Sequence, residues 1–409
     1  MMFGIHTMPA LVLYWSKDPL LRVSAVADVL SRDRYRQISR YFHLTDSEQF
    51  IPRGQPGHDP LFKIRPAIDQ VLKSCQTYYS PGVAVSIDEA MIPFQGRLHF
   101  KQYIKNKPHP WGVKVWCCCD PSNGYMLDFC FYTGKKEAPM PNGLGHHVVM
   151  TVGSRFLDKH HHFYFDNYFI SVRLAKDLLN RSTYSCATTR QNRKDWPRDL
   201  KTKIGKGECH MRQVGNIVAT FWNDKRPISL ISTNACPEMG TAMRRTKEGP
   251  QQKNIPMPVL YYNSNMAGVD LNDQLRTYYP VGRKSMKWWR CCFWYLFEVA
   301  LLNAFLLYKS MPRPPGSKPM DHFQFHLSIA RVLCEGGAKR RQAPGLAARN
   351  QATHRCVRMP GRKKQCFQCR KKDTKTDGGR RPETVFGCCL CNTHLCNELC
   401  FAEFHASFL

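Results

Sequence analysis

The sequence predicts a mixed α/β fold, and two observations carry that expectation. Three β-rich runs, at residues 83–87, 112–117 and 125–132, follow one another at the spacing of consecutive antiparallel strands. A fourth run at 162–165, a helical pattern over 168–179 and a fifth run at 183–188 then alternate strand with helix. Before this sheet, residues 1 to about 80 read as helical. Apolar residues recur at helical spacing over 23–30 and 35–42, Ser31 and Asp33 are placed to start the second helix, and 52–57 is a Pro- and Gly-rich loop. After it, 217–222 and 227–232 read as a hairpin or small sheet, an insertion between the sheet elements. Helical spacing resumes near Asn265, and 288–309 predict one long buried helix. Residues 312–319 are a Pro-rich break, 335–365 a basic, poorly patterned linker, and 366–405 a small metal-binding module. No acidic or low-complexity tail precedes residue 1, so a shortened form is expected.

The chain has 409 residues, 43% of them hydrophobic and 12% aromatic, which suits two or three globular domains rather than a disordered polymer. Its 60 Lys and Arg against 31 Asp and Glu leave a formal net charge of +29. Such an excess repels itself and favours a polyanionic partner, nucleic acid first, because counterion release rewards basic side chains along phosphates. A membrane partner is not expected: no long amphipathic basic helix or secretory leader stands out. The apolar run from Cys291 to Tyr308 is interrupted by Glu298 and Asn303, and a charge at the centre of a spanning helix is costly. Many of the 19 cysteines cluster near the C-terminus at metal-ligand spacing, whereas Cys117, Cys118 and Cys119 read as small core residues of a strand, so a reducing compartment is expected.

Against the basic background, three acidic spots stand at the ends of apolar runs: Ser86-Ile87-Asp88-Glu89, Phe163-Tyr164-Phe165-Asp166-Asn167 and Gly268-Val269-Asp270-Leu271-Asn272-Asp273-Gln274. Two-metal phosphoryl transfer needs carboxylates converging on ions about 4 Å apart, and hard oxygen ligands suit Mg²⁺. Asp88 and Asp166 each end a predicted strand, where one sheet rim can hold both. Asp270 and Asp273 are three apart, on one face of a helix. A single Asp after a strand is more often a turn or cap residue, and Asp120, Asp128 and Asp177 keep that reading. Spacing alone does not single out the other four. The triple His160, His161, His162 reads as a surface strand start, since alternation sends neighbours to opposite faces.

In the tail, Cys366-x-x-Cys369 and Cys388-x-x-Cys391 are followed by Cys396, Cys400 and His405. Two such knuckles with further Cys and His at short spacing are a strong zinc signal. Seven ligands exceed one tetrahedral site and fall one short of two; His354 or Cys356 supplies the eighth, and Cys389 is left as a spare thiol.

The run from Ser86 to Arg97 resembles the first catalytic motif of piggyBac-type transposases. Tyr103-Ile104-Lys105-Asn106-Lys107-Pro108 with Gly112-Val113-Lys114, then Phe165-Asp166-Asn167-Tyr168-Phe169, then Ala187-Thr188-Thr189-Arg190, and finally Gly268 to Gln274 are similar to later motifs of that family, in the same order. The resemblance covers nearly the whole chain. It implies a ribonuclease-H-like catalytic core of the DDE/D integrase type with a β-rich insertion. Asp88, Asp166 and Asp270 match the catalytic triad (a DDD-type enzyme) and Asp273 an accessory carboxylate, holding two Mg²⁺. The implied reaction is cut-and-paste DNA transposition at TTAA sites through a hairpin intermediate. The alternative is a domesticated DNA-binding protein without transposition. The family's tail resembles a cross-brace holding two Zn²⁺, and its pattern favours His354 over Cys356.

The implied organisation is a helical dimerisation and DNA-binding region at 1–80, catalytic core at 81–190, insertion at 191–262, second part of the core at 263–312, basic linker at 313–353 and cysteine-rich domain at 354–409. Partners are then double-stranded DNA, the transposon ends and TTAA target, and a second copy of the chain, in the nucleus. Candidate DNA contacts are Lys101, Lys105, Lys107 and Lys114 after the first Asp, Arg190 and Arg193 (with Lys194 and Arg198) opening the insertion, Arg283, Lys284, Lys287 and Arg290 around Trp288 and Trp289, and Arg362, Lys363 and Lys364 at the first knuckle. For the tryptophan pair, a plain core role stands beside the DNA reading. The tail's basic runs and Lys339-Arg340-Arg341 fit weak nuclear import signals.

Overall fold

Two runs of consecutive buried residues, 85–87 and 90–92, mark strand β1 (Ala84–Pro93) as covered on both faces, between two apolar cores. The computed structural model describes residues 1–105, 107–135, 140–201, 203–246, 249–338, 354–388, 390–396 and 398–406. They divide into two units, within 1–332 and 333–409. The first opens with short helices α1 (Met2–Ile5) and α2 (Ser24–Ala27), then α3 (Arg32–Tyr41) and α4 (Arg65–Thr77). Ser31 caps α3 as expected, its side chain accepting from the N–H of Arg34, and Pro66 lies in the first turn of α4, where its missing N–H costs nothing. The first predicted helix shrinks to the single turn of α2.

The sheet continues with β2 (Gln102–Tyr103), β3 (Trp111–Cys119), β4 (Met126–Phe131), β5 (His162–Phe165) and β6 (Tyr184–Thr188). β1 pairs antiparallel with β3 and β3 with β4, whereas β1–β5 and β5–β6 are parallel. The crossovers carry α5 (Gly143–Val152) and α6 (Val172–Leu179). On one face, Val85 and Ile87 pack with Phe163, Phe165, Val149 and Leu174; on the other, Ala90 and Ile92 pack with Ile64, Val113, Cys117, Val269 and Tyr295. Each such side chain contributes about 1.5–3 kcal/mol by leaving water.

Four expectations need correction. β1 does not end at Asp88, because Ala90, Met91 and Ile92 go on pairing with β3 as far as Pro93. The hairpin β8 (Ile217–Asn223) and β9 (Pro227–Ser232) is not a separate body. β9 adds antiparallel to β6, and β7 (Cys209–Val214) follows β8, giving a nine-stranded sheet among the described residues. Within the stretch read as an insertion, β10 (Met239–Thr246) and β11 (Gly249–Pro256) stand as a two-stranded ribbon. Third, the stretch proposed as a linker at 313–353 holds a helix, α10 (His322–Ala338), which tucks Phe325, His326 and Ala330 inside; its histidines read as polar but are packed. Fourth, α5 went unpredicted, since two glycines and two histidines dilute its apolar pattern.

Helices α7 (Met257–Asn265), α8 (Gly268–Thr277) and α9 (Trp288–Ser310) complete the unit. α9 is long and apolar enough to cross a membrane by length and composition, but more than half of its most apolar stretch is buried. Its two polar interruptions explain the burial. Glu298 accepts from the N–H groups of Val281 and Gly282 and from Arg276, and Asn303 brackets β4 by accepting from the N–H of Met126 and donating to its carbonyl. Asn303 thus satisfies backbone groups of an edge strand that water would otherwise need to reach.

In the second unit, strands Cys356–Arg358, Phe386–Cys388 and Thr393–His394 form one small antiparallel sheet and Lys364–Gln365 with Glu383–Thr384 another, beside helices Phe367–Lys371 and Glu398–Ala406.

Candidate active site and metal centres

The parallel register pairs Ile87 with Phe165, so the next residue on each chain segment is a carboxylate: Asp88 and Asp166 stand on neighbouring segments, about 4.8 Å apart in backbone spacing. This is the carboxyl end of β5, where β1 has an antiparallel neighbour on one side and a parallel one on the other. Such a change of strand direction opens a crevice. Helix α8 is pressed onto β1 there. Gly268 sits so close to Ser86 and Pro121 that a Cβ would lie 2.9 and 3.0 Å from them. Ser86 donates to the carbonyl of Met266 at 2.7 Å, and Asn272 donates to that of Gly124 at 2.8 Å. Ser86 and Asp88 share a strand face, so the first turn of α8, with exposed Asp270, starts beside that face.

Electrostatics tie the first two carboxylates together. Burial, then the charge of Glu89 and that of Asp166, push the Asp88 carboxyl up to about 7, against the pull of the Glu89 N–H and Lys107. Burial and Glu89 also raise Asp166, against the Tyr168 N–H, Lys114 and Arg190. Burial, with the charges of Asp166 and Asp88 adding, lifts the nearby Tyr262 hydroxyl to about 12, which marks α7 as the wall over both. Among the described residues, no three of these carboxylates bring their oxygens within 4.8 Å of one another. Ligands shared between two ions about 4 Å apart need not meet in one such sphere.

Asp273 differs from the other three. Its Oδ1 accepts from Arg276 at 3.0 Å, and Arg276 also reaches Glu298 at 3.1 Å and stacks over Tyr295 at 4.5 Å. The sequence reading missed this buried network, whose members lie on two helices. It also passed over Glu89, which Lys114 meets at 3.6 Å. Asp120 takes Tyr79 and Ser122 in the turn after β3, as expected, whereas Asp128 lies inside β4 with Gln76 and Asp177 inside α6 with His146 and Arg173, structural positions but not the turn or cap expected. His162 opens β5 at a partly exposed position, also as expected.

The basic candidates fall into two groups. Lys101 donates to the carbonyls of Gln95 and Gly96, Lys107 to that of Glu89, and Arg193 to those of Asn167 and Tyr168. Arg190 meets the Asn167 side chain, Arg283 the Met8 carbonyl and Arg290 Ser39, while Lys114 lies 3.8 Å from the Trp116 ring centre. Lys107, Lys114, Arg190 and Arg193 thus hold residues next to Asp88 and Asp166, whereas Arg283 and Arg290 tie the N-terminal segment and α3 to the core. Lys105, Lys284, Lys287, Arg362, Lys363 and Lys364 are exposed. Trp289 is buried in the core and Trp288 packs edge-on against Phe100, which favours the plain core role for that pair.

The eight tail ligands sort into two tetrads: Cys366, Cys369, Cys396 and Cys400, and His354, Cys388, Cys391 and His405. Within each, all ligand atoms lie within 4.8 Å of one another. The sulfurs of Cys369, Cys396 and Cys400 are 3.5–3.6 Å apart, near the roughly 3.8 Å that a tetrahedral ion with 2.3 Å bonds to sulfur requires. His354 Nδ1 is 3.3 Å from Cys388 Sγ, and His405 Nε2 is 3.5 Å from Cys391 Sγ. His405 Nδ1 lies 2.7 Å from the Phe401 carbonyl, which fixes the tautomer that leaves Nε2 free to ligate. Without an ion the thiols conflict: burial and neighbouring sulfurs push Cys396 up to about 11, while Cys366, though burial opposes it, is drawn down to about 7 by the N–H groups of Cys369 and Cys396. Cys356 is exposed and outside both tetrads. Cys389 and Lys339-Arg340-Arg341 lie outside the described residues.

The family model described as Transposase IS4 matches residues 1–305. Human PiggyBac transposable element-derived protein 3 is 26% identical over 427 residues, spanning 98% of this chain and 68% of that protein. Human PiggyBac transposable element-derived protein 2 is 27% identical over 358 residues, spanning 82% of this chain and 57% of its own length. The chain therefore spans about two thirds or less of these relatives. A cryo-EM structure of a piggyBac transposase synaptic complex with hairpin DNA matches 97% of this chain and 83% of that one, with a TM-score of 0.74 at 23% identity, which shows a shared fold.

Proposed function

We propose a function from one premise: the chain belongs to the piggyBac transposase family. In this reading it cuts and joins DNA by phosphoryl transfer at Asp88, Asp166 and Asp270. The observation that carries it is the parallel register that sets Asp88 beside Asp166 next to α8, in a chain of net charge +29. The carboxylates fit Mg²⁺: two half-buried acidic groups on neighbouring chain segments are each raised by burial and by nearby negative charge, which a cation would relieve, and their oxygens are hard ligands. Bound Mg²⁺ supplies the positive charge that in-line displacement at phosphorus needs on both the attacking and leaving oxygens. The chain's own residues hold the geometry. The Glu89 N–H orients Asp88, and the Tyr168 N–H orients Asp166 at 2.8 Å. Water nicks one strand, the freed 3′ hydroxyl closes a hairpin, and the reopened end joins TTAA target DNA.

The two tail tetrads fit Zn²⁺ by donor set and spacing, and exposed Arg362, Lys363 and Lys364 place positive charge beside the first knuckle for DNA. A dimer acting in the nucleus completes the reading. The second reading, a DNA-binding protein that no longer transposes, draws on the relatives whose names call them element-derived, and on Asp273 being engaged by Arg276. Incubating the protein with Mg²⁺ and DNA carrying TTAA-flanked inverted repeats separates the two: nicking at the repeat ends supports transposition, and binding without nicking supports the second.

A further inference from the structure

Beside Asp166 the first unit carries an open cavity of about 600 Å³. One wall is the amino end of α5, from Asn142 to Gly145; the other is the loop with Tyr168 and the side chains of Arg190, Arg193 and Lys194. Among the described residues, no carboxylate lines it. α5 has no side-chain cap at Asn142, so the positive end of its dipole faces the cavity without a local anion. Arg193 donates to the carbonyls of Asn167 and Tyr168, which fixes the loop two residues beyond Asp166. The Tyr168 ring is stacked on Trp116 at 5.7 Å, with Lys114 at 5.1 Å, and stays 39% exposed. A rigid aromatic ring, guanidinium and ammonium groups and a bare helix amino end are the parts of a single-strand nucleic-acid site: a π-face for a base, and donors for a phosphate. The cavity is too roomy for a lone phosphate and, being concave, cannot admit a paired duplex, whereas volumes of about 300–1,000 Å³ are those of small-molecule sites.

We propose that this cavity receives one unpaired nucleotide of the DNA strand handled at Asp166, its phosphate at Lys194, Arg190 and the amino end of α5, and its base against Tyr168. The proposal rests on the transposase reading for its strand, and its test is independent of that reading. The full chain is titrated with two duplexes that differ at one position: 2-aminopurine paired with thymine, or the same base unpaired opposite an abasic site. Affinity is read by anisotropy, and stacking by quenching of the 2-aminopurine fluorescence. The wild type should prefer the unpaired duplex by roughly tenfold or more. Lys194→Glu and Asn142→Asp should abolish that preference; the second places a negative charge that the helix dipole favours, so it tests the pocket without weakening the fold. Tyr168→Leu should abolish the quenching. Equal wild-type affinity for the two duplexes, or a preference that survives all three variants, overturns the pocket. Mg²⁺-dependent nicking without the preference overturns the pocket and leaves the transposase reading standing; the preference without nicking supports the pocket and counts against that reading.

Discussion

In residues 1–332, Asp88 and Asp166 are displayed on strands whose own neighbours, Val85, Ile87, Phe163 and Phe165, are buried hydrocarbon; the scaffold stands whether or not an ion binds. In residues 333–409 the interior cluster consists of Cys366, Cys369, Leu395 and Phe404, with four more ligand or aromatic side chains at its edge. There the ligands are themselves the core. On the proposed reading, the difference teaches that carboxylates and cysteines of one chain would call on their ions for opposite things: the first for chemistry, the second for structure.

Chelation breaks the comparison most directly. Stripping metal should unfold the tail, whose structural ions would be worth about 10–16 kcal/mol as folding energy, and leave the sheet's far-ultraviolet signal in place. A tail that keeps its amide protection without metal would make the two regions alike. Next in size, Asp88→Asn, Asp166→Asn or Asp270→Asn should each remove DNA cleavage while leaving melting temperature and DNA affinity nearly unchanged; full cleavage by any one removes that residue from the site. Arg276→Met tests how far the core stands on its own, because it strands Glu298 and Asp273 near buried surface and should cost about 3–5 kcal/mol in denaturant unfolding. An unchanged midpoint would mean the network is idle.

The smallest expected effect is on pH, and the regions should answer with opposite sign. Burial pushes Asp128 up to about 6, against Gln76 and Arg155. Its folded value exceeds the unfolded one, so folding takes up a proton in that window and the core loses stability as pH rises through it. Asp128→Asn should therefore stabilise the core by about 1–3 kcal/mol above pH 6, and hardly at all at pH 4. The tail instead loosens as pH falls, because its thiolates must take up protons as the ion leaves. Thermal melts from pH 4 to 8, read separately for core and tail, check both slopes.

Much of this was legible in sequence because it is local. The five strand runs and the long α9 rest on periodicity, and the tail ligands on CxxC spacing. What escaped was non-local. Nothing near Asp88 says that the strand continues past it, since the reason is pairing with Val113 and Val115 on β3. Arg276 lies 22 residues from Glu298 in sequence, and only the packing of α8 on α9 reveals that the two share a buried charge network. His322 and His326 look like solvent residues until the rings of Tyr279 and Phe305 close around them. Spacing leaves His354 and Cys356 both open as the eighth ligand and the resemblance favours His354; it is His354 whose Nδ1 stands 3.3 Å from Cys388 Sγ, while Cys356 is exposed.

The order of the tail ligands has a consequence for inheritance. His354 belongs to one tetrad, Cys366 and Cys369 to the other, Cys388 and Cys391 to the first again, Cys396 and Cys400 to the second, and His405 closes the first. A premature stop anywhere between Cys391 and Cys400 would therefore take ligands from both tetrads at once, whereas one between Cys400 and His405 would spare the all-cysteine tetrad, so erosion from the end passes through a single narrow stage before both sites fail together.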